Sequence, residues 1–252
     1  MGAIGLEPVL RALNVKFDSL YAAPDGTFPH HHPDPSESKN LKDLQAHMQT
    51  HQIPIGIAFD GDADRVALLT PNHIYAGDEL AILFAKSLSK KGIKPLVIGE
   101  VKCSQVMYNA INAMGRAIMY KTGHSNLKVK LKETNAHFAA EMSGHLFFND
   151  RYFGYDDALY ACLRLLELFL EQSPTALEES LKTLPYSYKT PEEKISVEEE
   201  EKFQIIDKLK ESLKGRLPQN FPPIVDLIDI DGVRVVFQDG FALVRASNTT
   251  PT

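Results

Sequence analysis

The sequence predicts an α/β fold made of consecutive mixed α/β domains. Three observations carry that expectation. Short apolar runs with strand character alternate with amphipathic stretches of helical spacing through the middle of the chain, glycines stand just beyond several of the helical stretches, and near Leu184 to Pro191 the composition shifts to Pro, Tyr, Ser and Thr as it would at a domain boundary.

From Gly5 to Asn14 the residues Leu6, Val9, Leu10 and Leu13 recur at helical spacing, and Val15 to Tyr21 then alternates as a strand would. The run PDGTFPHHHPDP from Pro24 to Pro35 continues neither element, because its prolines lack an amide donor and Gly26 favours a turn. A helix is predicted over Leu41 to Thr50, then the strand Ile55 to Phe59, an acidic loop and a strand Val66 to Thr70. The alternation goes on with a helix Asp78 to Lys91 ending at Gly92, a strand Leu96 to Val101, a helix Ser104 to Met114 ending at Gly115, and a strand Ala117 to Lys121. Such a succession implies a mainly parallel sheet with helices on its faces, and an apolar helix from Asp156 to Glu171 would close that unit. Beyond the boundary, Glu192 to Leu213 reads as an acidic helix with a solvated face at Glu198 to Glu201. Ile224 to Val236 reads as two strands around Asp231-Gly232.

A chain of 252 residues with 44% apolar and 24% charged content can bury one sizeable core or two to three smaller ones. A net charge of −6 gives no general attraction to nucleic acid or to an anionic membrane, so a phosphate-bearing ligand must be caught by local donors. The two cysteines, Cys103 and Cys162, read as free thiols of a reducing compartment. No signal-peptide pattern or membrane-length apolar run occurs, and a cytoplasmic location is expected.

Asp60-Gly61-Asp62-Ala63-Asp64-Arg65 lies between two apolar strands. Three carboxylates so close repel one another unless a cation lies among them, and an all-oxygen donor set favours Mg²⁺ over Ca²⁺ or Mn²⁺. An EF-hand loop begins similarly but needs Gly where Arg65 stands and an acid where Pro71 stands. Lys121-Thr122-Gly123-His124-Ser125 joins a strand to a basic helix, Ser125 to Thr134; Ser125 is read as its N-cap, and His124 as either a proton-transfer group or a structural histidine. In Glu141-Met142-Ser143-Gly144-His145, after the strand-like His137 to Ala140, an acceptor, a hydroxyl and a donor suit vicinal sugar hydroxyls. In Arg245-Ala246-Ser247-Asn248-Thr249-Thr250 a guanidinium stands beside hydroxyls and an amide, the chemistry of a phosphate grip or of an ordinary polar terminus.

In this order, DGDADR, KTGHS, EMSGH and RASNTTP resemble the α-D-phosphohexomutase family, in its phosphomannomutase/phosphoglucomutase branch, and the similarity runs over essentially the whole chain. The resemblance disfavours a metal site at His30, His31 and His32, and it implies an enzyme that interconverts hexose 1-phosphate and 6-phosphate through a bisphosphate. It implies Mg²⁺ on Asp60, Asp62 and Asp64, with Arg65 beside the metal and the phosphoserine. Glu141, Ser143 and His145 would bind sugar hydroxyls, Arg245, Ser247, Asn248 and Thr249 the distal phosphate, and Lys102 and His124 would be candidates for proton transfer. Met142 and the Asn-Thr-Thr-Pro ending favour mannose and glucose phosphates. No Thr-Ala-Ser-His-Asn-Pro type phosphoserine motif occurs in the 252 residues. The expectation is therefore a partial assembly: the end of the second domain (1–74), the third (75–185) and an incomplete fourth (186–252), binding Mg²⁺ and sugar phosphate but inactive without a separate N-terminal segment. A metal-dependent sugar phosphatase would need a nucleophilic aspartate or activated water, and the acidic loop is taken up by metal.

Overall fold

The computed structural model describes residues 1–190, 192–215 and 217–247. Helix α1 (Gly2–Ala12) buries Leu6 and Leu10. Val15 to Tyr21 forms no strand, contrary to expectation: Val15 and Phe17 pack against the Leu6, Leu10 and Cys162 cluster, so their alternation records apolar packing without a ladder partner. After the proline- and histidine-rich loop, a 3-10 turn at Ser38–Leu41 leads into α2 (Lys42–His51), which ends on Gln52 in the left-handed conformation. Strands β1 (Gly56–Phe59), β2 (Val66–Thr70) and β3 (His73–Tyr75) form an antiparallel meander, with Phe59 opposite Val66 at the end that carries the acidic loop. The three-residue β3 is too short for its alternation to be read from sequence.

The second unit is a layered α/β/α structure. It comprises α3 (Gly77–Lys90), β4 (Leu96–Glu100), α4 (Gln105–Asn112), β5 (Arg116–Tyr120), α5 (His124–Thr134), β6 (Phe138–Ala140), β7 (Leu146–Phe148), α6 (Ala158–Glu171) and α7 (Pro174–Lys182). Its sheet order is β5-β4-β6-β7; β4 runs parallel to β5 and β6, and β7 returns antiparallel along the edge. The sheet is thus parallel as expected except at that edge. Successive strand residues face opposite layers: Val97, Phe138 and Phe148 pack with Leu80 and Phe84 of α3, Met107 of α4 and Leu165 of α6, whereas Ile98, Ala139 and Phe147 pack with Leu127 and Leu131 of α5. Cys103 and Cys162 are buried free thiols.

Two local expectations are corrected here. Ser125 is the second residue of α5, whose N-cap is Gly123; at φ +112° this glycine turns the chain sharply enough to start the helix without a side-chain cap. The acidic helix begins only at α8 (Lys202–Lys214). Residues 192–201 are almost all exposed, so no apolar face is buried there to stabilise a helix.

The last unit is the antiparallel sheet β8 (Asp226–Ile228), β9 (Val233–Val236) and β10 (Phe241–Val244), whose β8–β9 turn carries Asp231-Gly232 as expected. Arg234 of β9 is wholly buried and reaches back into the second unit. Its guanidinium donates to the carbonyls of Val101 (2.5 Å) and Cys103 (2.8 Å) and to Gln105 Oε1 (3.3 Å), and lies 3.5 Å from the centre of the Phe241 ring. Removing it orphans buried carbonyls. Arg234→Ala is expected to destabilise this junction by about 3 kcal/mol, the scale of charge-assisted hydrogen bonds left unmade. An unchanged denaturant midpoint for the variant would show that the junction does not depend on this side chain.

Candidate functional site

The acidic loop leaves β1 with Asp60, which is only 5% exposed. Its Oδ1 accepts from the backbone amides of Asp64 and Arg65 (both 3.1 Å) and its Oδ2 from Arg65 Nε (2.6 Å), so the carboxylate organises its own turn, with Ala63 at φ +64°. Arg65 also donates to Asp34 Oδ1 (3.2 Å), tying the loop to the histidine-rich segment. His30 stacks on Tyr21 at 3.9 Å, and among the described residues the histidine run joins no grouping able to hold a metal.

Donor atoms of Asp60, Asp62 and Asp64 lie within 4.8 Å of one another, Asp60 buried, Asp62 exposed and Asp64 half-buried. Burial and the adjacent Asp60 and Asp62 push the Asp64 carboxyl up to about 6, against the pull of His145. Asp60 stays below the ordinary carboxylate range: burial opposes this, but the hydrogen bonds from Asp64 and Arg65 outweigh it. The donor atoms of the three carboxylates converge, and the set is all oxygen. The residues therefore fit a hard divalent cation.

Facing this loop is Glu141 to His145, the turn between β6 and β7. Gly144 has φ +98°, and a Cβ there would stand 2.4 Å from the Val66 carbonyl oxygen. Its absence lets the Val66 amide donate to the Gly144 carbonyl (3.1 Å) while Arg65 and His145 form a β-bridge. On the other side, Gly77 opens α3 where a Cβ would be 1.9 Å from the Glu141 carbonyl oxygen.

Glu141, 3% exposed, spends one oxygen on the Gly123 amide (2.7 Å) and the other on His145 Nδ1 (2.7 Å). Burial disfavours both charges, yet their contact prevails: Glu141 is held below the usual carboxylate range and His145 above the usual imidazole range. Ser143 Oγ lies 3.1 Å from His145 Nδ1, and His145 Nε2 lies 3.4 Å from Asp64 Oδ2.

The KTGHS segment lies beside this turn. His124 is the first residue of α5, half exposed, with Nδ1 3.4 Å from Asp156 Oδ2. The Thr122 amide donates to Asp231 Oδ2 (3.0 Å), and Arg245 lies 3.4 Å from the same oxygen. Arg245 Nε is buried without a protein partner, and Ser247 is half-buried nearby in sequence; Asn248 and Thr249 lie outside the described residues. Lys102 follows β4, its Nζ 3.7 Å from Glu192.

Sequence reasoning missed three acids. From sequence Asp231 reads only as a turn residue, Asp156 only as the start of a helix, and Glu100 only as part of a strand. A carboxylate inside the apolar run Leu96 to Val101 was the signal available for Glu100, which is fully buried. Its Oε1 accepts from the Met142 amide (2.7 Å) and its Oε2 has no partner. Burial, reinforced by Glu141 and opposed by Lys102, pushes Glu100 up to about 7.

Family models describing phosphoglucomutase/phosphomannomutase match in three consecutive pieces: α/β/α domain II over residues 1–73, α/β/α domain III over 76–188, and the C-terminal domain over 192–252. The phosphomannomutase/phosphoglucomutase of Pseudomonas aeruginosa PAO1 is 42% identical over 245 residues, 96% of this chain and 51% of the relative. The phosphoglucomutase of Neisseria meningitidis serogroup A is 43% identical over 244 residues, 96% of this chain and 51% of the relative. A crystal structure of a phosphoglucomutase/phosphomannomutase family protein from Burkholderia thailandensis superposes with a TM-score of 0.85 at 38% identity, covering 98% of this chain and 51% of that one. The chain thus spans about half the length of the curated relatives it matches.

The raised Glu100 has a thermodynamic signature. A carboxyl near 7 in the folded state and near 4.5 when unfolded binds its proton more tightly when folded, so its stabilising contribution is full below pH 4.5 and is lost as pH rises through about 7. Glu100→Gln is expected to remove on the order of 2–3 kcal/mol of that pH dependence. Denaturation midpoints of both proteins from pH 4.5 to 8 check this; parallel curves would contradict the assignment.

Proposed function

The chain belongs to the phosphoglucomutase/phosphomannomutase family, and on that premise we propose that it supplies the metal, sugar and phosphate sites of an enzyme interconverting hexose 1-phosphate and hexose 6-phosphate. Mannose and glucose phosphates are the substrates and Mg²⁺ is the ion. One observation carries the reading: a line of contacts joins the acidic loop, the Glu141–His145 turn, the KTGHS segment and Arg245. It runs from Asp64 to His145 (3.4 Å), His145 to Glu141 (2.7 Å), Glu141 to the Gly123 amide (2.7 Å), then from the neighbouring Thr122 amide to Asp231 (3.0 Å) and from Asp231 to Arg245 (3.4 Å).

In this proposal Asp60, Asp62 and Asp64 hold the ion, which when bound stabilises the charge on a transferring phosphoryl group. Arg65 holds Asp60 in place and offers a guanidinium beside that charge. Glu141, Ser143 and His145 orient the sugar through its hydroxyls, and Arg245, Ser247, Asn248 and Thr249 grip the distal phosphate. Lys102 and His124 are the candidates for moving a proton at the sugar oxygens. Phosphoryl transfer also needs an in-line donor held close to the acceptor. No serine in these 252 residues stands in a phosphoserine motif, so we propose that this chain alone binds its ligands without turnover. A phosphoryl donor from outside these 252 residues would then complete the reaction.

Calorimetry is expected to detect Mg²⁺ binding that Asp62→Ala abolishes; tight binding surviving that change would remove the metal assignment. Mannose 1-phosphate is expected to bind weakly, and Arg245→Ala to weaken it by about tenfold or more, the scale of one charge-assisted hydrogen bond. In a coupled assay with Mg²⁺ and an activating bisphosphate, the purified chain is expected to form no glucose 6-phosphate from glucose 1-phosphate. Activity that disappears in Asp60→Ala would overturn the binding-only reading, whereas activity appearing only on addition of a polypeptide that carries a phosphoserine motif would support it.

A further inference from the structure

Asp156 is unused by the reading above, yet it borders the acidic loop. We propose that Asp64, His145 and Asp156 form a second cation site selective for a borderline transition ion of the Zn²⁺ class and overlapping the magnesium loop at Asp64.

Single donor atoms of Asp64, His145 and Asp156 lie within 4.8 Å of one another. His145 Nε2 is 3.4 Å from Asp64 Oδ2, His124 Nδ1 is 3.4 Å from Asp156 Oδ2, and the two imidazole rings are 6.2 Å apart and nearly parallel. Two carboxylates and one imidazole, with a second imidazole beside Asp156, form the mixed nitrogen and oxygen set that Zn²⁺ takes and Mg²⁺ avoids.

The orientation of His145 supports ligation independently of this spacing. Its Nδ1 lies 2.7 Å from Glu141 Oε2, and Glu141 is itself fixed by the Gly123 amide at 2.7 Å. With Nδ1 engaged by that carboxylate, Nε2 is the ring nitrogen left on the Asp64 side, and a bound cation would take the place of its proton in the carboxylate–histidine–metal arrangement that orients ligating imidazoles. Asp156 is divided in the same way. Its Oδ1 takes Lys128 Nζ at 2.8 Å, leaving Oδ2 toward His124. Lys128 also disfavours a second cation, which places the site's affinity below that of a dedicated structural zinc site.

The proposal shares only Asp64 with the magnesium assignment, and the two can fail separately. The probes are Zn²⁺ by calorimetry and Co²⁺ by visible absorption, each titrated into the whole chain, into Asp156→Asn and into Asp62→Ala, with melting curves establishing that each variant folds. The expected result is Co²⁺ absorption of the intense kind given by low-coordinate nitrogen-containing sites. Zn²⁺ affinity should fall about tenfold or more in Asp156→Asn and change less than about threefold in Asp62→Ala. Mg²⁺ affinity should show the reverse pattern, which separates loss of a ligand from a general change of charge near the loop. No Zn²⁺ binding, or Zn²⁺ binding lost in Asp62→Ala and untouched in Asp156→Asn, would overturn the second site.

Discussion

The arrangement depends on the close approach of one backbone to another at Gly144. With no Cβ at this position, the turn after β6 lies directly on the start of β2, so that the Val66 amide reaches the Gly144 carbonyl at 3.1 Å and Arg65 bridges to His145. Any larger residue would meet the Val66 carbonyl oxygen at 2.4 Å, in a backbone conformation that side chains rarely adopt. The same turn is clamped from behind, where Gly77 lets the first turn of α3 approach the Glu141 carbonyl. Two glycines far apart in sequence therefore set the distance between the acidic loop and the Glu141–His145 pair. Side chains on both loops then meet without long, flexible reach.

The last unit is attached by a different device. Arg234 enters the carbonyls that follow β4, while Asp231 on the preceding turn receives the Thr122 amide and faces Arg245. Gly232, at φ +75°, makes this possible, since a Cβ there would lie 2.6 Å from Arg245 Cα. A hairpin turn that looks from sequence like simple punctuation thus positions the proposed phosphate-gripping arginine against the KTGHS segment. Packing between units and assembly of the site are here one and the same set of contacts.

The sequence was most informative where a local pattern maps onto one local structure. Helices α3, α4 and α6, the apolar strand β4 and the acidic turn between β1 and β2 all follow from spacing. It was least informative where the meaning of a residue lies in a distant partner. Val15 to Tyr21 alternates like a strand but finds no ladder, and Ser125 looks like a cap although Gly123 starts the helix. Helix α7 could have been read from Ser173 followed by Pro174, a cap and a first-turn proline, and went unused. Glu100, Asp156 and Asp231 were illegible as site residues because nothing near them in sequence identifies what they touch. Their partners are Met142, His124 and Thr122, residues brought to them only by the fold.

Charge explains why these acids are needed. The chain carries a net charge of −6 and would repel a phosphorylated ligand at long range, so the proposed reading needs cationic groups held in place and concentrated at the site. Each of the proposed arginine and histidine contacts is paired with a carboxylate: Arg65 with Asp60, His145 with Glu141, His124 with Asp156 and Arg245 with Asp231. A pairing of this kind fixes the cation's orientation at the expense of part of its field. The trade is tolerable for arginine, whose planar head has several donors and can keep one carboxylate while offering other N–H groups to phosphate. Arg245 is in that condition, bound on one edge to Asp231 and with its buried Nε lacking a protein partner. Histidine has only two ring nitrogens, so one fixed by Glu141 leaves a single nitrogen toward the acidic loop, and what lies on the Asp64 side decides what His145 can do.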